Sequence, residues 1–217
     1  MAVANPICSV QTGGMMSFGK SRKQAFCFLL NVSLLLPGTV YSDSLYSSCA
    51  GCHGTDGVNQ STHIPTIQGL NFQYFYASMQ DFRKDRRPST VMGRIAKGYK
   101  SSQLQMMALH YGSKPWAGVQ GEFDEELAQQ GKLLHEEYCE KCHEQNGHFQ
   151  DRDTPPIAGQ AKGYLYYQMI DYRESSKDLP RPPIMQERLE KLSDKELLAL
   201  AEFYASNPPP TGDSEGK

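Results

Sequence analysis

The sequence predicts an all-α protein built from two tandem, similar halves. Three observations lead there. Cys-x-x-Cys-His occurs twice, at Cys49–His53 and Cys139–His143, with the second copy 90 residues after the first. The register persists beyond the motifs: Pro65, Ile67, Gly69, Tyr74, Tyr76, Met79, Asp81 and Arg83 return 90 residues later as Pro155, Ile157, Gly159, Tyr164, Tyr166, Met169, Asp171 and Arg173. After a three-residue insertion the offset becomes 93, pairing Met92 with Met185, Leu104 with Leu197, Ala108 with Ala201 and Tyr111 with Tyr204. Finally, apolar residues recur at helical spacing in both halves, and no segment alternates as a half-buried strand would.

The first element is a leader. Lys20, Arg22 and Lys23 precede a 12-residue apolar run, Ala25 to Leu36, followed by Pro37-Gly38 and then Val40-Tyr41-Ser42. This three-part pattern predicts a signal peptide over 1–42, cleaved after Ser42. A run of 12 is too short to span a bilayer, so export to the periplasm without a membrane span is expected. Residues 43–217 then carry 19 basic and 24 acidic side chains, net −5, and keep four of the six cysteines. With 39% hydrophobic and 21% charged residues overall, the chain is globular rather than disordered, and too weakly basic for nucleic acid to be its partner.

The first domain is expected over 43–113. In it Phe72, Phe75, Tyr76 and Met79 sit at i, i+3, i+4 and i+7, and Leu104, Met107, Ala108 and Tyr111 repeat that spacing. Residues 114–122, with Pro115 and Gly118, read as a linker. The second domain is expected over 123–207. Leu127, Leu134 and Tyr138 approach its motif at helical spacing, and Ser193-Asp194-Lys195-Glu196 is a capping-box start for a last helix. Residues 208–217 are polar and proline-rich, and are expected to be a disordered tail. Each half is small for a self-sufficient hydrophobic core, so a bound apolar group has a place in both.

The motifs name that group. Cys-x-x-Cys-His is the attachment signature of c-type haem. Two thiols add across two vinyl groups on one porphyrin edge, so they must stand about one helical turn apart; the adjacent His then reaches the iron. The expected attachment residues are Cys49, Cys52, Cys139 and Cys142, with His53 and His143 as proximal iron ligands, for two covalently bound haem c groups. A four-cysteine zinc ribbon is the competing arrangement, but 86 residues separate Cys52 from Cys139, whereas ribbon pairs lie roughly 15–20 apart.

The sixth ligand decides the chemistry, since Met opposite His raises the potential. Met79 and Met169 align across the repeat but fall on aromatic-rich helices, where Met is a core filler. Met92 and Met185 also align, 39 and 42 residues after their histidines, in Pro/Arg-bearing segments between helices, and are the preferred pair. His63, His110, His135 and His148 have no counterparts at the repeat offset, so solvated or capping roles are expected for them. Pro65 and Pro155 each lie 12 residues after a proximal His, so their carbonyls are candidates to hold the ring Nδ1–H.

These residues resemble a known family. Cys49-Ala50-Gly51-Cys52-His53-Gly54-Thr55, Val91 to Tyr99, Tyr138 to His143, Ile157-Ala158-Gly159-Gln160 and Tyr172-Arg173-Glu174 are similar to the tandem dihaem class I cytochromes c, most of all the cytochrome subunits of flavocytochrome c sulfide dehydrogenase. The resemblance runs through almost all of 45–206. It implies two class I cytochrome c domains, each wrapped around one haem, with Met92 and Met185 as axial ligands. The stretch Ser175–Pro183, with three prolines, departs from the family pattern.

The expected function is single-electron transfer, as the subunit accepting electrons from a sulfide-oxidising flavoprotein or from other redox proteins. No nucleophile–base pair or phosphate loop stands out, so the chain is expected to be an electron-transfer subunit rather than a catalyst by itself. A free-standing dihaem carrier feeding a terminal oxidase is the alternative, and a dihaem peroxidase a more distant one. Charge divides unevenly: residues 43–115 hold eight basic and four acidic side chains, net +4, and 116–217 hold 11 and 20, net −9.

Overall fold

A computed structural model describes residues 39–174, 179 and 182–209, with side chains from Leu45 onward. The expected leader up to residue 38, and residues 210–217 of the expected tail, lie outside the described residues. All the regular elements described are helical, as the sequence predicts.

Helix α1, Thr39–His53, ends on the first motif. Gly54 stops it at φ +81°, donating its N–H to the Ala50 carbonyl at 3.0 Å; a Cβ there would lie 1.9 Å from the Val58 oxygen. Helix α2, Phe72–Arg83, starts where the Asn71 side chain accepts from the Gln73 and Tyr74 amides. It packs on α3, Met92–Lys97, and on α4, Ser101–Gly112. The core between them holds Leu45, Ile67, Phe75, Met79, Leu104 and Tyr111, with Cys49 and Met92 half-buried against it.

The second half repeats this plan with one deviation. Helix α5, Glu125–Leu134, opens on the Asp124 carboxylate, which accepts the Leu127 amide at 2.9 Å. It then widens into a π-helical turn, His135–Cys139, instead of running straight to the motif. A short α6, Glu144–Gly147, contains Gln145 and Asn146 at φ 57° and 58°. Helices α7, Lys162–Glu174, α8, Pro183–Leu189, and α9, Asp194–Ala205, complete the half. The Ser193–Glu196 capping box forms at the start of α9. Leu165, Met169, Tyr172, Leu197, Leu200 and Tyr204 build the core, and Cys139 and Met185 pack against it half-buried.

Two contacts fix α9. Its backbone comes so close to α5 that a Cβ on Gly131 would lie 2.0 Å from the Ala199 oxygen. Its buried Glu202 accepts the Asp124 amide at 3.1 Å and pairs with Lys162 at 2.9 Å. One carboxylate thus ties the starts of α5 and α7 to the last helix.

The seam between the halves is polar. Thr66 and Gln160 exchange two hydrogen bonds, amide to Oε1 at 2.8 Å and Nε2 to carbonyl at 3.0 Å. The Thr62 carbonyl accepts the Gly163 and Tyr164 amides, satisfying the start of α7 from the other half. Trp116 donates its indole N–H to the Ala158 carbonyl at 2.9 Å. Pro208 and Pro209 lie against Gly159 and Gly118. Among the described residues no helix is long and apolar enough to cross a membrane.

Candidate functional site

Each half brings its motif histidine, buried in the first half and half-buried in the second, beside two unbridged thiols. His53 is only 8% exposed, and its Nδ1 lies 2.7 Å from the Pro65 carbonyl. A carbonyl only accepts, so Nδ1 carries the proton and Nε2 keeps its lone pair. Burial lowers the His53 pKa, partly offset by the Pro65 bond, so the ring is neutral at neutral pH. That is the metal-ligating form.

The second site is built alike but is less satisfied. His143 Nδ1 is buried without a hydrogen-bond partner, although the Pro155 carbonyl faces it closely enough to favour the charged ring. Burial, helped by nearby His135, takes the His143 pKa down to about 4. Cys139 is half-buried and its thiol is pushed up to about 11, chiefly by burial. Tyr204 on α9 hydrogen-bonds this thiol, and its counterpart Tyr111 on α4 does the same for Cys49. Cys52 and Cys142 are exposed, and all four cysteines are free.

A matching pair of loops carries Pro65 and Pro155. The Gly57 carbonyl accepts the Ile67 amide at 2.8 Å, as the Gly147 carbonyl accepts that of Ile157 at 2.8 Å. Both glycines have positive φ, +81° and +89°, and a Cβ on either would lie 2.8 Å from a neighbouring side chain, Tyr111 or Ile157. Sequence reasoning missed this pair. The signal was available, since Gly57 and Gly147 stand at the same offset of 90.

Met92 and Met185 do not lie in loops, as expected, but on short helices. Met92 is the first residue of α3, where the Ser89 hydroxyl accepts the Gly93 amide at 2.8 Å. Met185 falls in the first turn of α8, which begins with Pro183. Both are half-buried against the cores that also hold Cys49 and Cys139. Met79 and Met169 are buried core residues, 7% and 8% exposed.

One expectation fails outright. His135 is fully buried rather than solvated or capping, with Nδ1 3.0 Å from the Tyr204 hydroxyl and Nε2 on the Glu140 carboxylate. Leu45 occupies the equivalent position in the first half, so the polar network belongs to the second site alone. His110 stacks on Tyr46, and His63 is exposed at the seam.

Among the described residues no group of three or more His, Cys, Asp or Glu converges as a metal cluster, so the two cysteine pairs do not meet as a zinc site. A cavity of about 540 Å³ between α5 and α9, walled by Phe123, Lys132 and Phe203, includes no motif residue. What each half offers is a free thiol pair, a neutral imidazole at least half-buried, and a half-buried thioether on one apolar core. These donors fit a covalently held haem.

Helical halves of this kind define a c-type cytochrome. No family profile matches the chain. The cytochrome subunit of sulfide dehydrogenase from Chlorobaculum tepidum is 37% identical over 114 residues, covering 52% of this chain and 94% of the relative. The chain belongs to that family, the electron-transfer cytochromes c with covalently bound haem. The thiosulfate dehydrogenase electron acceptor of Stutzerimonas stutzeri is 27% identical over 169 residues, 73% of this chain and 78% of the relative. Reduced recombinant cytochrome c4 from Pseudomonas stutzeri shares the fold, with TM-score 0.67 at 24% identity over 77% of this chain and 97% of that one.

Proposed function

We propose that the chain is a periplasmic dihaem carrier that takes single electrons from a sulfide-oxidising flavoprotein. Its domains would be 43–113 and 123–207, joined by 114–122, with the leader 1–42 removed. Cys49 and Cys52 would hold one haem and Cys139 and Cys142 the other, as thioethers where the structure has thiols. His53 and Met92 would hold one iron, and His143 and Met185 the other. Bound in this way, the haem supplies a one-electron ferric–ferrous couple.

The carrying observation is an imidazole held neutral at each motif, buried at His53 and half-buried at His143. His53 presents Nε2 because Pro65 holds Nδ1, and burial stops either ring from protonating at neutral pH. The short helices α3 and α8 bring a thioether to each apolar core. With His53, Met92, His143 and Met185 holding the two irons, the chain would exchange electrons and leave bond chemistry to its donor.

The test uses the chain matured in a haem-attaching host. Mass spectrometry should find one adduct at each cysteine pair, and stopped-flow mixing with a sulfide-reduced flavoprotein should reduce both haems. A colourless product would end the haem assignment; two haems that the flavoprotein does not reduce would end the partner assignment. The longer alignment to thiosulfate dehydrogenase electron acceptors favours a second reading, a free-standing carrier fed by such a donor.

A further inference from the structure

Among the described residues Arg87 is the one Lys or Arg that is buried, at 5% exposure. It lies between α2 and α7, at the seam. Its Nη1 donates to Ser78 at 2.8 Å, and its Nη2 to the Tyr164 hydroxyl at 2.7 Å and to Gln168 Oε1 at 2.6 Å; Nε also reaches Gln168, at 3.2 Å. Tyr74 completes the ring of oxygens. Ser78 and Gln168 are repeat-equivalent, and so are Tyr74 and Tyr164, so a single guanidinium is gripped by the same positions of both halves.

Every one of those oxygens is neutral. A buried cation is costly unless an anion faces it. The ion pairs among the described residues do not include Arg87: nearby Asp81 is taken by Arg86, and Asp171 feels the charge without forming a pair. Beside it, Gln168 Nε2 is buried and has no acceptor. Two donors with no anion stand side by side. Tyr164, which accepts from Arg87, packs on the core that holds Cys139 and Met185.

We propose that Arg87 and Gln168 form a carboxylate-binding site at the seam, and that its carboxylate is a propionate of the porphyrin held by the second half. The inference rests on the haem assignment above, which brings two carboxylates per porphyrin. A buried cation at that edge favours the ferrous state, whose net charge is lower, so Arg87 also raises the potential of that haem.

The test compares Arg87→Gln, Gln168→Leu and Asp171→Asn holo-proteins by resonance Raman of the propionate bending band and by spectroelectrochemical titration. Haem content is counted first. With two haems bound, Arg87→Gln should move the band of one haem and lower its ferrous-to-ferric ratio at fixed poise about tenfold, ~59 mV for one electron. Gln168→Leu keeps the charge and should move the band alone, and it decides the matter if Arg87→Gln does not accumulate. Asp171→Asn should change neither. Unmoved bands in the first two variants, or an Asp171→Asn protein that behaves like Arg87→Gln, would overturn the site while leaving the haem assignment intact. Wild-type protein without haem would overturn the assignment instead.

Discussion

At the scale of single residues, burial sets an acid limit on the site. An ordinary histidine has a pKa near 6.5, and His143 is depressed to about 4 because its charged form loses solvation. The folded chain therefore binds fewer protons than the unfolded one between those values, and this contribution to stability shrinks as the pH falls through that window. In the haem-free chain the urea midpoint should fall as the pH is lowered from about 6.5 to about 4. A midpoint unchanged across that window would contradict an imidazole held neutral by the fold. Met92→Leu conserves volume and should leave both thioether adducts in place, yet turn one haem high-spin and lower its potential. Two haems that both remain low-spin would move the ligand elsewhere. The motif residues were legible in the sequence because thioether chemistry fixes their spacing. His135 was not: its burial is decided by Tyr204, 69 residues away, and no local pattern reports that distance.

At the scale of elements, the closest approach in the fold makes the sharpest prediction. Gly131→Ala would drive a Cβ into the Ala199 carbonyl, forcing α5 from α9 at a cost of about 3 kcal/mol. Gly121→Ala meets nothing within 4 Å and serves as the control, and urea unfolding of both reads the difference. Equal midpoints would mean that the helices part freely. Ser193→Ala removes the acceptor of the Glu196 amide and should cost about 1 kcal/mol in the same measurement. The helices and this cap could be read from periodicity, but the π-turn before the second motif could not. Apolar spacing at Leu127, Leu134 and Tyr138 tolerates either winding. The wider turn coincides with the His135 network, whose Nδ1 meets Tyr204 of α9.

At the scale of the whole molecule, the uneven charge of the halves gives direction to encounter. Beside Met92 stand Arg94 and Lys97, with Val91 and Ile95 exposed at 51% and 42%, whereas the second half carries net −9. An acidic redox partner should meet the first half faster at low salt and more slowly as ionic strength rises, while a basic partner shows the same trend at the second. Rates independent of salt for both would remove the polarity. The duplication itself was plain from the offsets of 90 and 93, but the seam was not, because Thr66, Arg87 and Gln160 find partners across the halves that have no regular spacing in the chain.

Trp116, the only tryptophan, sits on that seam, its indole tied to Ala158 of one half while its ring packs on the core of the other. A lone indole at that seam reports on it: in the haem-free chain, a red shift of its emission in mild denaturant before the helical signal is lost would time the parting of the halves separately from the collapse of either one.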